Sequence, residues 1–494
     1  DFSFLRAYVA PDGSSAQYSP NNVPFKPRKF LTVSLNGVNE NDFVFVLGNP
    51  GGTTRYRESQ SISYAEEVNF PFLYQYLTAW IGGLEKVGEQ NEDKRISLQS
   101  FVAQLRNGQK LYGGSSTALR RGDAVAKRKA EEIKFQTWAV GTPTRRAEYG
   151  NLLSEISAIW KKTNSSPARD RLLRTIPSNG NSPVYTSFIN AVTSANSGAD
   201  LSEKGKAQIE AAYNNREPIV ERGMLKFLFS QMEQLPENQR FAEADNILAV
   251  PGSADKLIAQ LLDSGDFDTP EKIFAIYSMK PSEILAKWGD LAKLAIAQGN
   301  ERINIQVRNM EFAEAITPLR LRYLRGMSEM QKITPYPDAN FTQRFTYGNV
   351  EGYLPREAVI YEPFTSLKGV LEKDTAIPPF AAPEKLRKMQ ATKDFGRYAK
   401  GDTVPVNFLS TTDIIGGNSG SPVLNAYGEQ VGLVFDANYE GLGNDLFFDP
   451  AYGRTISVDI RYVFFITEKF DNMNWIINEI KFAPARSKAK KRAA

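Results

Sequence analysis

Apolar residues in the first 58 positions recur with a period of two or in short unbroken runs. Leu31, Val33 and Leu35 alternate with polar neighbours, and Phe43 to Leu47 is a continuous apolar run. Both patterns predict β-strands, because successive side chains of an extended chain point to opposite faces. Gly48-Asn49-Pro50-Gly51-Gly52 then stops the run. A glycine cluster after a strand can cradle a phosphate, but such loops end in Lys-Ser/Thr, which is missing here. The segment reads as a tight turn.

From about residue 59 to 334 the period changes to that of a helix. Leu152, Ile156, Ile159 and Trp160 fall on one face, as do Leu225, Leu228, Phe229 and Met232. Leu257, Ile258, Leu261 and Leu262 repeat the pattern, and Ile284, Trp288 and Leu291 follow it. Such stripes bury themselves against other helices and are read as core. Thr269-Pro270 has the form of a cap followed by a first-turn proline. Residues 177–200, rich in Ser, Asn and Gly, predict a long connection within the helical block. There is no internal repeat.

After about residue 335 the β signals return. Phe341 to Tyr347 alternates, Val431 to Phe435 reads as a buried strand, and Ile460 to Phe470 predicts a strand plus a closing helix. The expected organisation is β structure over 1–58, a helical domain over 59–334, β structure over 335–484 and a basic, solvated tail over 485–494. This is the pattern of a helical insertion in a β fold.

Composition narrows the chemistry. The 494 residues are 41% hydrophobic and 23% charged, which excludes a disordered or collagen-like chain and provides for two or three cores. No apolar run approaches the roughly 18–20 residues of a membrane-spanning helix. The net charge is +4, and Arg486, Lys488, Lys490, Lys491 and Arg492 all lie in the last nine residues. The body is thus near neutral and has no nucleic-acid footprint. There is no cysteine and no histidine, where ordinary usage gives roughly ten histidines in this length. That removes disulfides, thiolate nucleophiles and the usual zinc ligands, so no metal or cofactor is expected. Any general base within the chain is a carboxylate or a lysine. The sequence begins at Asp1 without an initiator Met or a signal pattern, and reads as a fragment or processed product.

The chemistry concentrates in Gly416-Gly417-Asn418-Ser419-Gly420-Ser421-Pro422-Val423. A serine with a glycine two before it and another just after suits a nucleophile held on a sharp turn. The glycines let the amides of Gly417 and Ser419 face one point, where an oxyanion would sit. One such donor lowers the barrier by on the order of 3 kcal/mol. The plainer reading is a Gly/Ser hairpin turn leading into a strand.

Three further segments join this motif. They are Ser410-Thr411-Thr412-Asp413-Ile414-Ile415, Gly432-Leu433-Val434-Phe435-Asp436-Ala437-Asn438, and the run Arg454-Thr455-Ile456-Ser457-Val458-Asp459-Ile460-Arg461-Tyr462-Val463. With Tyr336-Pro337-Asp338-Ala339-Asn340 and the opening Asp1-Phe2-Ser3, the chain resembles the bacterial dipeptidyl-peptidase 7 and 11 family over essentially its whole length. The resemblance implies a mixed β and α fold: a chymotrypsin-like double β-barrel, its first barrel incomplete here, with a large all-α inserted cap domain. It also implies a His-Asp-Ser triad, removal of dipeptides from free peptide N-termini, a periplasmic or secreted location and a homodimer.

By the same resemblance Ser419 matches the nucleophile and Asp1 the triad aspartate, which family members carry in a His-Thr-Gly-Asp-Phe-Ser segment. The triad histidine lies upstream of that segment and is absent from these residues. Asp436 matches the carboxylate that binds the substrate's α-ammonium, and Asn107 matches an asparagine that shares this duty. The anchor must lie about two residues from the nucleophile, roughly 7 Å at up to about 3.6 Å per residue. Ala437 stands where members that cut after Asp or Glu carry an Arg, so the sequence resembles the branch preferring an apolar or aromatic second residue. Three functions follow for testing: a serine dipeptidyl-peptidase acting on oligopeptides, a peptide-binding remnant without turnover, and an endopeptidase indifferent to a free N-terminus.

Overall fold

Seven strands, all paired antiparallel, form the sheet that carries the Ser419 motif. They are β1 (Phe43–Gly48), β2 (Arg344–Asn349), β3 (Phe364–Ser366), β4 (Pro405–Ser410), β5 (Pro422–Asn425), β6 (Gln430–Ala437) and β7 (Thr455–Asp459). In the sheet they stand in the order β2-β1-β5-β6-β7-β4-β3. A bridge between Val350 and Ser410, with hydrogen bonds Thr411 N to Asn349 O (2.9 Å) and Glu351 N to Leu409 O (3.2 Å), ties the end of β2 to β4. The sheet therefore curls back on itself. The computed structural model describes residues 2–175, 181–377 and 380–486.

The curl encloses a core of Val44, Val46, Phe408, Val423, Val431 and Val434, each under a tenth exposed. The Phe43–Leu47 run is a strand, but it is buried on one face only. Val44 and Val46 point inward, while Phe43 faces solvent and stacks near Phe45 and Tyr347. A second core, with Leu367, Val406, Phe464 and Phe465 among its members, lies where short helices cover the sheet.

Three expectations in this part change. The alternation at 31–35 makes no strand; Val33 is a single bridge residue between Gln430 and Phe482, buried at that one crossing. β2 begins at Arg344 rather than 341, because Phe341 adopts φ 65° and its amide donates to the carbonyls of Pro50 and Gly51. The 460–470 segment holds no strand. The strand ends at Asp459, whose carboxylate accepts from the Arg461 amide (2.9 Å) and so caps the helix Ile460–Phe465.

The chain divides into a β-rich unit, Asp1–Arg55 with Pro337–Ala494, and a helical unit, Tyr56–Tyr336. Within the helical unit the four apolar stripes supply buried residues as their spacing requires: Leu225, Leu228, Phe229 and Met232 are all sealed in one core with Leu257, Ile258, Ile284 and Trp288. The predicted connection over 177–200 is the chief correction. Residues 183–197 form a helix, Pro183–Ser197, with Val184, Tyr185, Phe188, Ile189 and Val192 buried in that core. Those apolar positions recur at helical spacing, and burial outweighs the weak helix preference of the intervening Ser, Thr and Asn. No described helix is long and apolar enough to cross a membrane. The expected tail also starts later than 485. The Arg486 amide donates to Asn36 Oδ1 (3.0 Å), and its guanidinium pairs with Glu429 and lies over the Tyr427 ring. Most of the basic tail, from 487 on, lies outside the described residues.

Candidate active site

The loop between β4 and β5 is stitched from both sides. Gly51 N donates to Gly416 O (2.7 Å), Gly420 N to Val434 O (2.7 Å), and Val434 N to Ser421 O (2.9 Å). Inside the loop the Asn418 amide and its Nδ2 both donate to Ile415 O, and Ser421 N donates to Asn418 O. Asn418 is buried, and it fits because Gly48 has no Cβ to collide with its Oδ1 and with Ser421 Oγ. Asn418 and Ser421 are buried, whereas Gly417, Ser419 and Gly420 are exposed at the tip of the loop.

Gly417 has φ +105°, and a Cβ there would lie 2.6 Å from Asn49 O and 2.8 Å from Gly51 N. Only glycine tolerates both conditions. Gly417→Ala is therefore expected to cost about 2 kcal/mol or more of stability and to displace the Ser419 turn. Denaturant unfolding alongside a turnover assay checks this; unchanged stability and activity would refute it. Among the described residues the backbone amides of Gly417 and Ser419 have no hydrogen-bond acceptor. Two open donors flanking Asn418, beside an exposed hydroxyl, are the raw material of an oxyanion site.

Ser419 Oγ donates to the carbonyl of Phe435 at 3.4 Å, a long contact that leaves the hydroxyl available. Phe435 is the extra residue of a β-bulge: Val434 pairs with Ser457 and Asp436 with the next residue, Ile456. A bulge breaks strict alternation. Val434 points into the core, and both Phe435 and Asp436 then face solvent. Bond lengths from the Phe435 carbonyl to the Asp436 carboxylate put the hydroxyl and the carboxylate within at most about 10 Å. Asp436 Oδ1 accepts from the Ala437 amide (2.8 Å), and its other oxygen has no protein partner among the described residues. Ala437 pairs with Thr455 and is half-buried, packed against the sheet's inner core.

The supporting residues include some to which sequence reasoning gave no role. Asp413, six residues before Ser419, holds Arg55 through two carboxylate oxygens, one contact being 2.8 Å. The Arg55 guanidinium is buried, also donates to Asn444 O (2.6 Å) and stacks 5.1 Å from the Phe448 ring. Asp338 accepts from Thr53 Oγ1 (2.6 Å) and the Arg55 amide (3.0 Å). Asp413 and Asp338 lie in quoted motif segments, but the Arg55–Asp413 pair spans 358 residues and no local pattern announces it.

Ser419, Gly417, Asp436 and Ala437 thus meet at one end of β6. Asn107 is in the helical unit, exposed on the helix Glu92–Arg121, and its side chain has no hydrogen-bond partner among the described residues. Asp1 lies outside the described residues. No described carboxylate or lysine is bonded to the Ser419 hydroxyl.

A model of the peptidase S46 family matches residues 1–482. The chain belongs to the peptidase S46 family. Dipeptidyl-peptidase 7 of Capnocytophaga gingivalis is 31% identical over 506 residues, covering 97% of this chain and 68% of that protein. The Asp/Glu-specific dipeptidyl-peptidase of the same organism is also 31% identical, covering 97% and 69%. Among solved structures, Porphyromonas endodontalis DPP11 in complex with the dipeptide Arg-Glu matches with a TM-score of 0.76 and 26% identity, over 97% of this chain and 70% of that one. Identity to these two Capnocytophaga gingivalis relatives is equal, so overall similarity does not choose between them. That choice falls to individual residues of this S46 peptidase.

Proposed function

We propose that this S46 peptidase is a serine dipeptidyl-peptidase that releases dipeptides from the free N-termini of oligopeptides. The observation that carries the reading is the Ser419 hydroxyl bonded to the residue next to Asp436, both side chains exposed. Ser419 attacks the second peptide carbonyl, the amides of Gly417 and Ser419 receive the oxyanion, and Asp436 binds the α-ammonium by a charge-assisted hydrogen bond. The names of the S46 relatives support the reaction class. In this reading the curled sheet is one barrel of a chymotrypsin-like pair. Asp1 orients an imidazole that comes from outside these 494 residues. The reading extends to a periplasmic or secreted homodimer, open to fractionation and sedimentation.

The second-residue preference follows from β6. Ala437 brings no charge, and the cation beside it in the ladder is already satisfied. Arg454 is buried, with its guanidinium on the carbonyls of Gly352, Pro450 and Gly453. An apolar or aromatic second residue therefore fits better than an acidic one. Ala437→Arg is expected to raise the ratio of kcat/KM for Asp- or Glu-containing over apolar dipeptidyl substrates by about tenfold or more, with Ala437→Gln as the steric control. An unmoved ratio would remove Ala437 from the specificity argument.

One fact favours a second reading, a chain that binds peptides without turnover: it contains no histidine. The protein as its source produces it, assayed with free-amine and N-acetylated dipeptidyl chromogenic substrates, separates the possibilities. Cleavage of the free-amine substrate alone supports the exopeptidase. Equal cleavage of both indicates an endopeptidase, and binding without release indicates the second reading.

A further inference from the structure

A groove of about 670 Å³ in the helical unit has a composition that the proposed peptidase chemistry does not use. It lies between the helix Pro183–Ser197 and residues 299–313 of the helix Pro281–Gln331, with Arg174 entering from the helix Pro167–Thr175. The two long helices approach closely at its floor, where a Cβ on Gly299 would collide with Thr193 Oγ1.

Two guanidinium groups line the groove, and among the described residues both have neutral partners. Arg302 donates to Asn190 Oδ1 (3.1 Å). Arg174 donates to the Asp170 backbone carbonyl (3.1 Å) and the Tyr64 hydroxyl (2.8 Å). The nearby carboxylates are already taken: Arg308 holds Asp170 and Glu301, and Arg169 holds Glu301 at 3.0 Å. Among the described residues no carboxylate pairs with Arg174 or Arg302, and residues 176–180 contain no acidic side chain. A guanidinium stays charged, so a partly buried one without an anion is costly to the fold. Burial indeed pushes the Arg302 guanidinium below its ordinary range.

The remaining lining tells what kind of anion fits. Gln306 and Asn309 offer amides suited to a peptide backbone, and exposed Ile303 and Met310 form an apolar rim. An inorganic ion would use the arginines and leave the amides and the rim idle. We infer that this groove binds the carboxylate of a short peptide, with the two arginines on the carboxylate and the rim on an adjacent apolar side chain. The carboxylate can be a C-terminus or an acidic side chain, and the two sources share this chemistry.

Calorimetric titration of the protein with N-acetyl-dileucine and with its C-terminal amide tests the inference, since acetylation removes the ammonium that Asp436 would hold. The acid is expected to bind on the order of tenfold more tightly than the amide, and the difference to vanish in Arg174→Gln and in Arg302→Gln. N-acetyl-leucyl-aspartyl amide, whose only carboxylate is a side chain, identifies the source: binding as tight as the acid's adds the side-chain class, and weaker binding assigns the C-terminus. Arg174 is exposed, so Arg174→Gln keeps the test decisive if Arg302→Gln fails to fold by circular dichroism. Acid and amide binding alike, a preference that survives both substitutions, or inorganic phosphate binding as tightly as the peptide acid would overturn the proposal.

Discussion

Ser419→Ala is expected to reduce kcat for a free-amine dipeptidyl chromogenic substrate by about a thousandfold or more, with stability changed by no more than about 0.5 kcal/mol. The size follows from what is removed. Without the hydroxyl no acyl-enzyme forms, and only the oxyanion donors and substrate binding remain. The small stability effect follows from geometry: Ser419 is exposed, and its hydroxyl makes one long contact, to the Phe435 carbonyl, which water can replace. The measurement pairs steady-state kinetics on the protein as its source produces it with denaturant unfolding. Activity retained within a few-fold would show that Ser419 is not the nucleophile, whatever the fate of the fold.

Asp436→Ala carries the second large effect. Removing one partner of a charge-assisted pair costs roughly 2–5 kcal/mol, which is about 30-fold to several thousandfold in kcat/KM for substrates with a free N-terminus. N-acetylated substrates lack the ammonium and should respond little. The bulge at Phe435 turns the carboxylate outward, and among the described residues its one hydrogen-bond donor is the adjacent Ala437 amide, so the fold should not suffer. A pH consequence accompanies it. The substrate's α-amino group loses its charge near pH 8, so wild-type kcat/KM should fall above that value, and the variant should lose this dependence. If free and acetylated substrates lose activity equally in Asp436→Ala, the carboxylate is not the ammonium anchor.

The Ser419 loop was legible because its constraints are local. Gly417 must take a positive φ, and the spacing Gly-Asn-Ser-Gly puts that requirement beside the hydroxyl whatever the rest of the chain does. The helical stripes were legible for a related reason: spacing along one helix already says which side will be buried, as with Leu225 to Met232. Where local preference and long-range burial disagreed, as in residues 183–197, burial prevailed. Ser, Thr and Asn between the apolar positions suggested a connection, yet Phe188 and Ile189 are sealed in the largest core. The helix at 460 has a local cause instead: the Asp459 carboxylate caps it and ends the strand.

The order of residues alone therefore decided the alternation of β and helical blocks, the glycine-framed serine and the pairing of Asp436 with an uncharged neighbour at 437. These rest on backbone sterics and period, which act over a few residues. Contacts between distant segments settled the rest: the curl of the sheet through Val350 and Ser410, the Arg55–Asp413 pair beneath the serine loop, and the single extra residue at Phe435 that brings Asp436 to the solvent side. A hydrogen bond or a ladder register between segments tens to hundreds of residues apart depends on where the chain returns, and no local spacing encodes that return.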